Sequence, residues 1–118
     1  MPFDENLADR IRAILNSRKI KAEEKNMMGG LTFMVNDKMC VGIVNADLMA
    51  RVGPYHYNKA LKMKGVREMD FTGKPMNGFV FVAPDAIDLD EDLRIYLDMA
   101  LDYNKEARKF KKKKNKET

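Results

Sequence analysis

The stretch that most constrains this chain is Met27 to Gly53, MMGGLTFMVNDKMCVGIVNADLMARVG. Its apolar residues recur with a period of two, the side-chain period of a strand. Leu31, Phe33 and Val35 fall on one face, Thr32 and Met34 on the other. Asn36-Asp37 supplies two residues that tolerate left-handed backbone angles, so a two-residue hairpin turn is predicted there. Met39 to Val44 is apolar almost throughout, as in a central strand covered on both faces. Gly42 inside it marks a bulge or a close backbone approach. Asn45-Ala46-Asp47 turns the chain again, and Leu48 to Val52 returns. The prediction is a three-stranded meander, entered through Gly29-Gly30 and left through Gly53-Pro54. The Gly pair reads as a turn that sets strand entry. A phosphate-cradling loop is the competing reading, but no third Gly, Lys-Ser/Thr pair or following helix accompanies it.

The flanking segments read as additions to this meander. A first helix starts at Asp4, whose carboxylate can accept from unpaired N–H groups of the first turn. Leu7, Ile11, Ile14 and Leu15 form its buried stripe, and Arg10, Arg12, Arg18 and Lys19 lie outside it. Residues 19–26 read as a polar connector anchored by Ile20. Pro54 opens a short helix through Tyr57, Ala60 and Leu61 that stops at Gly65. Val66 to Phe71 and Gly78 to Val82 read as an antiparallel hairpin about the turn Thr72-Gly-Lys-Pro75. Asp88 or Asp90 caps a last helix whose stripe is Leu89, Leu93, Tyr96, Leu97, Ala100 and Leu101. The expected fold is α+β, two-layer, with an antiparallel sheet of about five strands and the order α-β-β-β-α-β-β-α.

The totals set the class. A chain of 118 residues is one domain and buries a core without staples. One cysteine, Cys40, and one histidine, His56, exclude an internal disulfide and any cysteine-based or multi-histidine metal site within one chain. No apolar run is long enough to span a bilayer, and the first residues lack a signal-peptide hydrophobic region. A cytoplasmic, reduced setting is expected. The formal charge is +4, but residues 105–118 hold eight Lys/Arg against two Asp/Glu, so the rest of the chain is slightly acidic. The division expected is a folded domain over 1–104 and a frayed basic tail over 105–118.

Few residues offer chemistry. His56 has no second histidine and reads as a surface or half-buried helix residue. Cys40 lies in the most apolar strand, where a thiol behaves as an inert hydrophobe. The run Asp85, Asp88, Asp90, Glu91, Asp92 lacks the Gly and terminal Glu of a calcium loop and reads as helix-end charge. Arg51 and Asp70 are expected to meet as a charge pair at one end of the sheet, with Lys74 nearby; the cluster fixes register or holds a ligand. Met34, Met39, Met49 and Met69 read as sheet-face packing. Arg108, Lys109, Lys111, Lys112, Lys113 and Lys114 form a candidate polyanion-binding tail, in which Phe110 can stack on a base. No catalytic residue, metal or cofactor is assigned.

With these segments placed, the sequence resembles the TfoX N-terminal domain family (TfoX/Sxy). The matching stretches are DENLADRIRAIL, MMGGLTFMVNDKMCVGIV, DLMARVGPYHYNKAL and MDFTGKPMNGFVFV, spread from Asp4 to about Tyr103. The family's usual Lys-Met-Phe-Gly-Gly stands here as Asn26-Met27-Met28-Gly29-Gly30. The resemblance implies a two-layer α+β fold and kinship with bacterial regulators of natural competence. Those regulators carry a second helical domain where this sequence runs into lysines. The family has no agreed catalytic residues to carry over. The expected function is therefore a non-enzymatic module that binds a protein partner. The alternatives are a nucleic-acid binder acting through the tail, and a small-molecule site near Arg51 and Asp70. A homodimer is compatible with either, and no membrane partner is expected.

Overall fold

Six antiparallel strands form one sheet in the order β1-β2-β3-β4-β6-β5, seen in a computed structural model that describes residues 3–27, 29–69 and 77–106. Along the chain the elements are α1 (Glu5–Ser17), β1 (Glu23–Met27), β2 (Gly30–Val35), β3 (Lys38–Val44), β4 (Asp47–Arg51), α2 (Gly53–Leu61), β5 (Val66–Glu68) and β6 (Phe79–Val82). A single 3-10 turn, Pro84–Ile87, precedes α3 (Asp90–Asn104). The predicted meander is β2-β3-β4. Asn36 and Asp37 both take positive φ, 55° and 65°, the backbone that a two-residue hairpin turn of matching twist requires.

The expectation of about five strands is corrected to six. Residues 23–26, expected within a polar connector, form with Met27 the edge strand β1, which pairs with β2 from Glu23↔Met34 to Met27↔Gly30. The strand has no alternating pattern because its first four residues are exposed. Charges on an edge strand discourage further pairing. Gly30 is fixed by space: a side chain there would run into the carbonyl oxygen of Ile43. Gly42 likewise sits at a close approach, with the Leu31 carbonyl oxygen 2.7 Å from where a Cβ would lie. The bulge expected near it falls two residues earlier. Phe33 pairs with Val41 and Met34 with Met39, which leaves Cys40 as the extra residue.

The registers sort the side chains. Leu31, Ile43, Leu48 and Val82 share one row, and Phe33, Val41, Ala50 and Val80 the next. Both rows belong to one core with Leu7, Ile11, Ile14, Leu93 and Leu97 of α1 and α3. The opposite sheet face carries a smaller buried cluster of Met39, Met49, Met69 and Phe79, with Met34 and Phe81 half-buried against it. Methionine suits such a face because its flexible thioether fills irregular gaps.

α1 is capped by Asp4, whose carboxylate accepts from the N–H groups of Asn6 (2.9 Å) and Leu7 (3.2 Å). The predicted acidic cap of α3 is not made: its N-cap is Leu89, with no side-chain cap bond. Arg10 uses that helix start instead. Its Nε meets Asp90 at 2.9 Å, and its Nη2 donates to the carbonyls of Ile87 (2.6 Å) and Asp88 (3.2 Å). Two turns on, Arg18 pairs with Asp98. The equal spacing in the same sense means that α1 and α3 run parallel, latched twice. Arg12 forms a two-pronged bond to Glu24, 2.7 Å on each arm, tying α1 to β1. That bond holds the Glu24 carboxyl below its ordinary range.

Candidate functional site

The β4 strand ends at Arg51, and the sequence-based candidate cluster centres there. Arg51 is buried at 9 % exposure. Its cross-strand partner on β6 is Phe79, and its guanidinium carbon lies 5.3 Å from the Phe79 ring centre and 5.6 Å from that of Tyr103 at the end of α3. A guanidinium between two aromatic faces gains from both ring quadrupoles. Burial lowers the Arg51 pKa from its ordinary value, and Tyr103 counters that effect. Asp70 and Lys74, the expected companions of Arg51, lie outside the described residues. So does the tail with Arg108, Lys109, Lys111, Lys112, Lys113 and Lys114.

The same end of the molecule is tied together by groups the sequence did not single out. Gly53 has φ +84°, and the Tyr103 ring packs where its Cβ would be. Its N–H donates to the Gly78 carbonyl at 3.0 Å. Asn104, buried at the last position of α3, donates to the Val35 carbonyl at 3.1 Å and accepts from the Asn36 side-chain amide at 3.2 Å. An asparagine just past the last apolar residue of a helix is the only sequence signal of this contact.

His56 and Cys40 are both engaged in the framework. The His56 Nε2 lies 3.0 Å from the Asp102 carboxylate, linking α2 to α3. Tyr55 meets the His56 ring edge-on at 5.0 Å while remaining 88 % exposed. Cys40 is buried at the bulge, and burial pushes its thiol up to about 12. A thiol held protonated is a poor nucleophile.

A larger concavity than any beside Arg51 or His56 among the described residues lies elsewhere. A cleft of about 500 Å³ opens between the α2–β5 connection, the Pro84–Ile87 turn and α3, lined by Met63, Lys64, Gly65, Ala83, Asp85, Ala86, Asp92 and Tyr96. Asp92 and Tyr96 stand four residues apart on α3, so both reach the same side of the helix. In the sequence Asp92 reads as helix-end charge and Tyr96 as part of the apolar stripe.

The fold and its arrangement of helices define a two-layer α+β domain with an antiparallel sheet. The family description "TfoX N-terminal domain" matches residues 17–103, from the last residue of α1 almost to the end of α3. The chain belongs to the TfoX N-terminal domain family. No curated protein and no solved structure matches it significantly.

Proposed function

We propose that this protein is a non-enzymatic interaction module, a competence-regulator-like domain that binds a protein partner in the cytoplasm. The observation that carries the reading is the family match, which spans the whole sheet and both later helices. The placement of the reactive side chains supports it: the Arg51 guanidinium, the His56–Asp102 pair and the Cys40 thiol all serve contacts between elements of the fold. No described helix is long and apolar enough to cross a membrane. The domain occupies residues 1–104, with the basic tail from 105 as an appendage.

The test is capture from native cells with the full chain as bait. A partner retained stoichiometrically, and lost when the folded body is disrupted, is the expected result. Failure to recover any protein above background removes the reading.

The charge segregation of the sequence favours a second role for the tail, since eight basic residues lie within 105–118. Binding of that kind neutralises phosphates and weakens steeply with salt. A chain ending at Lys105 should lose both the affinity for nucleic acid and its salt slope. Unchanged binding by that chain removes the tail from consideration.

A further inference from the structure

The cleft beside Tyr96 has the composition of a binding site, and its polar groups are uncommitted. Its volume of about 500 Å³ falls within the range of pockets that hold small ligands or single side chains. Met63, Gly65, Ala83 and Ala86 line it with apolar surface. Asp85 and Asp92 bring two carboxylates, Lys64 one ammonium and Tyr96 one hydroxyl.

Tyr96 is the informative residue. It is only 2 % exposed, yet among the described residues its hydroxyl makes no hydrogen bond. The ring is packed into the core while the hydroxyl oxygen reaches the open cleft, where a guest can meet it. Burial raises the Tyr96 pKa, and the negative charge of Asp92 adds to that. The hydroxyl therefore stays protonated and offers an acceptor oxygen beside a carboxylate. The neighbouring acids on α3 differ in this respect. Asp90 and Asp98 are taken by Arg10 of α1 and by Arg18 at its C-terminal cap, whereas no ion pair among the described residues engages Asp85 or Asp92.

We propose that this cleft receives an alkyl cation, the side chain of an arginine or lysine on the partner protein. The stem would lie on Met63, Ala83 and Ala86, and the head would meet Asp92, Asp85 and the Tyr96 hydroxyl. Charge complementarity selects the cation, since two carboxylates face one ammonium. Lys64 is exposed on a flexible stem and opposes the guest, so its removal should tighten binding. The assignment of the guest to a protein rests on the interaction-module reading; the chemistry of the cleft does not.

The experiment is an NMR titration of the isotope-labelled full chain with Nα-acetylarginine amide, with acetylated norleucine and glutamate amides as controls. The expected result is saturable shifts at Gly65, Ala83, Ala86 and Asp92, with millimolar affinity. Binding should weaken about tenfold in Asp92→Asn, the loss of one charge-assisted contact of about 1.4 kcal/mol. It should also weaken in Tyr96→Phe, which keeps the ring and its packing, and strengthen in Lys64→Ala. Absence of saturable shifts in the folded wild-type chain overturns the proposal. So do equal shifts with the norleucine amide, or glutamate binding that Lys64→Ala abolishes. The source is read separately. A captured partner released by Nα-acetylarginine amide, and not retained by Asp92→Asn, places the cation on a protein. Capture indifferent to both overturns that assignment while leaving the module reading intact. If the wild-type chain captures nothing, the module reading falls, and the titration alone still decides the cleft.

Discussion

The Asn104 side chain, at the last position of α3, donates to the carbonyl of Val35 at the end of β2, 3.1 Å away. The two residues stand 69 positions apart, and the bond is buried. It fastens the C-terminal end of the last helix to the hairpin between β2 and β3, while the other side of the amide receives Asn36.

Replacing Asn104 with Ala should leave a buried carbonyl without its donor, at a cost of about 1–3 kcal/mol. Replacement by Leu should cost at least as much, because it adds apolar bulk to a polar slot. Urea unfolding followed by circular dichroism measures both. A midpoint unchanged from wild type would mean that water takes over the carbonyl.

Arg51 should be intolerant of lysine. A guanidinium is flat and weakly hydrated and can lie against both the Phe79 and Tyr103 rings, whereas an ammonium is a compact, strongly hydrated point charge. Arg51→Lys is expected to lose about 1–2 kcal/mol of stability. Arg51→Ala should lose more, since the stem and its packing go as well. Denaturant midpoints of the two variants give the order directly.

Gly53→Ala combines two faults. A non-glycine residue at φ +84° costs about 1–2 kcal/mol, and the new methyl collides with the Tyr103 ring, which adds about 1–3 kcal/mol of overpacking. The double variant with Tyr103→Ala should recover the second part only. A thermal melt of the single variant within a degree of wild type would contradict this geometry.

The Cys40 thiol should be silent toward thiol reagents in the native protein and react only as the chain unfolds. Its folded pKa is about 12 against an ordinary 9. Between these values the folded state keeps a proton that the unfolded chain has lost. Stability should therefore be unaffected below pH 9 and fall as pH rises toward 12, with a slope approaching about 1.4 kcal/mol per pH unit from this group. Cys40→Ala should remove that contribution and flatten the alkaline limb relative to wild type. Urea midpoints taken across this range, paired with labelling rates, test it.

Alternation made β2 legible, and β3 was legible as a continuous apolar run because it is buried on both faces; β4 followed from the turn that separates it from β3. Asn36-Asp37 and Gly65 were legible for backbone reasons, as positions that need positive φ. β1 was not, since an edge strand exposed along most of its length has nothing to alternate. The start of α3 was misread because a local cap was assumed where a distant arginine, Arg10, supplies the contact. Arg51 stood out as a charge at a strand end, but its aromatic neighbours come from β6 and α3, and no local spacing announces them. The Tyr96 cleft was hidden for a related reason: a tyrosine in an apolar stripe looks like core until its hydroxyl is found without a partner.

The parallel latch of α1 on α3 joins positions near the two ends of the domain. Arg10 must wait for Asp90 and for the carbonyls of Ile87 and Asp88, some 80 residues later. At about 5–20 residues per second of synthesis, the first helix emerges several seconds before its clasp exists. During that interval Arg10 and Arg18 are without these partners, and the closure of α1 onto α3 waits for residues 87–98.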